Sequence, residues 1–85
     1  MYVVMVYDIG ERRVAKVLRT ARVYLTWVQN SVFEGEITSA NFMRLQNALK
    51  LIIEQEDSVL FYTFERSYQN KVVMGTNKSA PTNFF

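Results

Sequence analysis

The stretch YVVMVYD, Tyr2 to Asp8, constrains this chain more than any other. Six apolar or aromatic residues in a row leave no polar edge for water. A strand built from them is buried on both faces and belongs in the interior of a sheet. The run ends on a carboxylate, Asp8, followed by Ile9-Gly10 and then by Arg12 and Arg13. An aspartate there has three chemical uses. It can cap the next helix, with Glu11 three places on resembling a capping box. It can pair with Arg12. It can also hold a metal ion.

The pattern then changes period. Val14, Val17, Leu18, Ala21 and Leu25 fall at helical spacing, which predicts a helix over Glu11 to Tyr24. In WVQNSVFEGEI, Trp27 to Ile37, β-forming residues alternate with polar ones, and Gly35 invites a bend or bulge. One strand is expected to turn sharply into another there. Thr38 or Ser39 offers an N-cap, and Phe42, Leu45, Ala48, Leu49 and Ile52 predict a second amphipathic helix to about Ile53. EQED reads as a turn, SVLFYTF (Ser58 to Phe64) as a strand, and Lys71 to Met74 as a short final strand. By alternation Tyr7, Trp27, Phe33, Phe61, Tyr62 and Phe64 are expected mostly in the core. The order is that of an α+β, ferredoxin-like split βαβ fold: an antiparallel sheet with two helices on one face and a short extra C-terminal strand.

At 85 residues the chain has room for one domain, spanning 1–85. It is 49% hydrophobic with three glycines and one proline, too apolar for disorder and rich for a solitary small core. That excess predicts a homodimer. The tail, residues 76–85, ends in Phe84 and Phe85, where chain ends are ordinarily polar, so it is expected to dock on a partner chain. No segment reads as a signal peptide or a membrane span, and a cytoplasmic location is the expectation.

With neither cysteine nor histidine, disulfides, thiolate and imidazole metal sites, and a histidine general base are excluded. The net charge is only +2, but it is segregated. Arg12, Arg13, Lys16, Arg19 and Arg22 run without an intervening acid, and the acids gather at Glu34, Glu36, Glu54, Glu56 and Asp57. A single-signed helix face suits a phosphate backbone better than the mixed signs that favour i,i+4 pairing. Nothing resembles a base-reading motif, so binding should tolerate any sequence. Ser31 has no base beside it and suits a supporting hydrogen bond near the strand bend or Asp8. For hydrolysis the remaining route is metal-assisted: Mg²⁺ takes one or two carboxylates plus waters, and two copies of Asp8 across a two-fold axis would supply them.

MYVVMVYDI, WVQNSVFEGEIT, DSVLFYTF and APTNFF together resemble the small CRISPR-associated adaptation protein, a family often labelled endoribonuclease, over essentially the whole chain. The resemblance implies a ferredoxin-like homodimer whose C-terminal segment crosses to extend the partner's sheet. It implies a scaffold that bridges two dimers of the CRISPR integrase around duplex DNA during spacer acquisition. Asp8 matches the family's strand-end metal ligand, one from each subunit, so Mg²⁺-dependent cleavage of single-stranded RNA or double-stranded DNA at paired Asp8 is also implied. Similar folds occur in toxin-like metal-dependent endoribonucleases, the alternative reading, against which SVFEGE and TNFF argue.

Overall fold

The protein, here a computed structural model, is described over residues 1–79. Six elements follow in order: β1 (Tyr2–Asp8), α1 (Glu11–Tyr24), β2 (Thr26–Gln29), β3 (Val32–Glu36), α2 (Ser39–Lys50) and β4 (Ser58–Phe64). The strands form one sheet in the order β2-β3-β1-β4, antiparallel throughout. The apolar run of β1 therefore lies inside the sheet, flanked by β3 and β4. Both helices pack on one face, against each other, as the ferredoxin-like pattern predicts.

The period-two alternation of β1 sorts its residues. Val3, Met5 and Tyr7 face the helices, where Val3 and Met5 are completely buried. Phe33 of β3 is the largest completely buried side chain and lies opposite Met5. Val17 and Ala21 of α1, Leu25 just beyond its end, and Leu45 and Leu49 of α2 close the core. The second helix starts as its sequence directs: Thr38 accepts a hydrogen bond from the Asn41 N–H at 3.1 Å. It ends at Lys50, so Ile52 and Ile53 pack against the core from the turn beyond it.

Three expectations are corrected. The bend between β2 and β3 falls at Asn30-Ser31, not at Gly35. Asn30 takes the positive φ of 43° that the turn demands, a conformation that asparagine tolerates better than most residues. Gly35 instead lies within β3, where an added Cβ would stand 3.3 Å from Leu25 Cδ2. The expected strand at Lys71 to Met74 is absent among the described residues, because a strand exists only through a ladder and this segment pairs with none in the single chain. Tyr62 and Phe64 are about half exposed, not core. They share with Val4 and Val6 the sheet face that carries no helix.

Phe84 and Phe85, and most of the docking expected of 76–85, lie outside the described residues. No helix among the described residues is long and apolar enough to cross a membrane.

Candidate functional site

Asp8 ends β1 opposite Ser58 of β4. On its other side the β1–β3 ladder continues past Val6↔Val32 into the turn, where the Tyr7 N–H donates to the Ser31 carbonyl at 3.1 Å. Tyr7 also donates its hydroxyl to the Asn30 carbonyl at 3.1 Å, and the Trp27 indole N–H reaches the same oxygen at 3.0 Å. Ser31 thus stands beside the Asp8 junction, and the recorded bond uses its backbone. Burial pushes the Tyr7 phenol above its ordinary value, opposed by the positive charge of Arg22.

Asp8 neither caps α1 nor pairs with Arg12. The N-cap of that helix is Gly10, without a side-chain cap, and Asp8 enters no hydrogen bond or ion pair among the described residues. Its side chain is exposed. The capping chemistry belongs to Asp57, the last residue of the EQED turn. Asp57 Oδ1 accepts from the Gly10 N–H at 2.8 Å and from Arg13 Nη2 at 2.8 Å. Its Oδ2 accepts from Arg13 Nε at 2.6 Å and from the Glu54 N–H at 2.9 Å. This fork-to-fork geometry is the strongest that a carboxylate and a guanidinium make. It holds the Asp57 carboxyl well below the usual carboxylate range, chiefly through Arg13, with the Glu54 and Gly10 N–H groups assisting and burial opposing.

The basic cluster divides accordingly. Arg12, Lys16, Arg19 and Arg22 are exposed along the outer side of α1. Arg13 points the other way, with its side chain 17% exposed, and is held by Asp57 and the rims of Glu54 and Glu56 at 3.4 and 3.5 Å. Its charge is neutralised within the fold, so the face open to a polyanion carries four cations, not five. The signal that could have found this was the helical phase: Arg13 precedes Val14 and sits off the line of Arg12, Lys16 and Arg19.

The sheet face away from the helices is apolar and largely uncovered. Leu60, Tyr62 and Phe64 of β4 are 50, 55 and 49% exposed, beside the half-buried Val4 and Val6. One end of this face is covered by the chain following β4. Tyr68 stacks edge-on against Tyr2 with centroids 5.4 Å apart and donates to Glu34 at 3.4 Å. Lys71 pairs with the same carboxylate at 2.9 Å, which raises the Lys71 pKa. Asp8 stands at the opposite, open end.

No group of three or more potential ligand side chains gathers among the described residues. Asp8 presents a solvent-facing carboxylate, a hard oxygen donor of the kind Mg²⁺ takes, with no second ligand side chain grouped beside it among the described residues.

Known proteins resemble this chain in sequence and in fold. Residues 1–72 match the family model described as CRISPR associated protein Cas2. A protein from Dictyoglomus turgidum named CRISPR-associated endoribonuclease Cas2 is 52% identical over 81 residues, covering 93% of each chain. A solved structure titled crystal structure of cas2 superposes with a TM-score of 0.87 at 41% identity, covering 100% of this chain and 98% of that one. The Streptococcus pyogenes Cas2 crystal structure at pH 6.5 gives 0.77 at 31% identity, covering 89% and 100%.

Proposed function

This chain belongs to the CRISPR-associated Cas2 family, and we propose that it works as a homodimeric scaffold for duplex DNA in CRISPR spacer acquisition. In this reading it bridges integrase dimers. The observation that carries the reading is the uncovered apolar sheet face, with Val4, Val6, Leu60, Tyr62 and Phe64 on one surface. An apolar face of this kind is what a second copy would bury, since contiguous exposed patches mark association sites, and a two-fold pairing repeats every charged feature of one copy on the other. The four exposed cations of α1 then occur twice, giving a sequence-tolerant footprint for a polyanion. A cytoplasmic setting follows from that role.

A second reading, Mg²⁺-dependent phosphodiester cleavage, is favoured by the free carboxylate of Asp8 at the rim of the same face. Two copies of Asp8 would hold the ion, which when bound supplies Lewis acidity at a phosphodiester. The chain's own part is to present two carboxylates without local partners and to bring phosphates near them through Arg12, Lys16, Arg19 and Arg22. The D. turgidum relative carries the name endoribonuclease, which makes single-stranded RNA one substrate to try beside double-stranded DNA.

One experiment separates the two readings: spacer integration with purified integrase, run with wild type and Asp8→Asn, alongside cleavage of RNA and duplex DNA. A scaffold predicts that Asp8→Asn integrates as wild type does. Loss of integration with an intact dimer would make the metal site, and not the scaffold, essential. A chain that sediments as a monomer and neither binds DNA nor supports integration would end the scaffold reading.

A further inference from the structure

One backbone amide at the entrance of the first helix is held by an aspartate distant in sequence and not by the one nearest to it. The Gly10 N–H lies two residues after Asp8. An aspartate two residues before an N–H is the donor–acceptor pair of an Asx-turn, the default local bond for this residue type. Local forces alone offer Asp8 that bond, which would fold its carboxylate back onto its own chain. Asp57, 47 residues away in sequence, holds that N–H at 2.8 Å instead.

Its claim on the amide is strong. The Asp57 side chain is 1% exposed, and all four of its bonds come from fixed donors: two from Arg13 and one each from Gly10 and Glu54. Glycine leaves room for this arrangement: a Cβ at residue 10 would meet the Arg13 guanidinium, which would have to shift away from where Asp57 holds it. Asp57 is also the residue before Ser58, the ladder partner of Asp8. The Asp57 carboxylate is thus carried immediately before the strand that pairs with Asp8.

We infer that Asp57 is a positioning residue for Asp8: by occupying the Gly10 N–H it keeps the Asp8 carboxylate unbonded and directed from the open sheet face. The inference rests on Asp8 being the metal-holding residue of the second reading above. Gly10 and Arg13 complete the device. Gly10 gives the clearance, and Arg13 anchors the carboxylate that takes the amide. A carboxylate already bonded to backbone would have to release that bond before meeting a cation. Outer-shell groups bonded to a metal ligand typically change metal affinity by about 10- to 100-fold, and the lower bound is the expectation for a group that acts through a neighbouring amide.

The test uses the full chain. In wild type, NMR should detect a through-hydrogen-bond coupling from the Gly10 nitrogen to the Asp57 carboxyl carbon, and none to that of Asp8. The opposite pattern overturns the inference without any variant. In Asp57→Ala, a coupling from Gly10 to the Asp8 carboxyl carbon should appear, and the Asp8 β-methylene couplings should shift to a single rotamer. Mn²⁺ affinity of the folded dimer, read by electron paramagnetic resonance, should fall by at least about tenfold. Glu56→Gln, which touches only the edge of Arg13 at 3.5 Å, should leave all three readouts unchanged.

Unaltered Asp8 couplings in folded Asp57→Ala, or the same changes in Glu56→Gln, would refute the positioning role. If wild type binds no Mn²⁺, the metal reading fails by itself. The acceptor switch at Gly10 then still decides whether Asp57 positions Asp8.

Discussion

Neutralising Lys16 and neutralising Arg13 remove the same formal charge from the same helix, yet they should act differently on DNA binding. Each phosphate neutralised by an exposed cation contributes about 0.9 to the slope of log K against log salt on duplex DNA. Four exposed cations per protomer, doubled in a dimer, set a limiting slope of about −7. Counting Arg13 as a fifth would give about −9. Lys16→Gln removes two contacts per dimer and should make the slope shallower by about 1.8. Arg13→Gln should leave the slope where it was, because Asp57 already neutralises the guanidinium at 2.6 and 2.8 Å. Its cost should appear in stability, since it strands a buried carboxylate without its partner. The assay is fluorescence anisotropy of a labelled duplex over about 50 to 200 mM salt, with the unfolding midpoint of each variant measured in parallel. Equal flattening by the two substitutions, with Arg13→Gln as stable as wild type, would refute the division of the basic cluster.

Tyr62→Glu places a charge in the centre of the uncovered sheet face. It should weaken self-association by about 3 kcal/mol, or about a hundredfold in Kd, as read by sedimentation equilibrium with the monomer's circular dichroism unchanged. Leu45→Ala empties a completely buried position and should cost about 3 kcal/mol, a fall in Tm of at least about 12 °C for a domain of this size. The Asp57 carboxyl is depressed in the fold below its ordinary 3.8, so its stabilisation is complete above that value and is lost as pH falls through and below it. Asp57→Asn should therefore flatten the acid limb of the stability–pH curve below about pH 4 while lowering stability at neutral pH. An acid limb as steep as that of wild type would show that other carboxylates drive acid unfolding.

Much of the architecture was legible because it depends on near neighbours in the chain. The apolar run of β1, the helical spacing of Val14, Val17, Leu18 and Ala21, the cap at Thr38 and the β-rich Ser58–Phe64 each express a local preference. The sheet agreed with all of them at once. Asp8 could be placed at a strand end for the same reason. Alternation also predicted that Tyr62 and Phe64 would be buried, and that failed because β4 is an edge strand whose second face meets no helix in the single chain. Lys71 to Met74 has strand-forming residues but no ladder to join.

What the sequence determined by itself was therefore the order and type of the six elements from β1 to β4, the central strand, the strand-end carboxylate and the basic helix. What only the tertiary structure decided was the division of labour among like residues. Asp57 and not Asp8 serves the helix entrance, and Arg13 is withdrawn from the basic face that Arg12, Lys16, Arg19 and Arg22 present. The reason is physical. The bond that frees Asp8 joins residues 47 apart, so no local spacing encodes it. It forms only when β4 pairs with β1 and brings Asp57 to the amide that Asp8 would otherwise take.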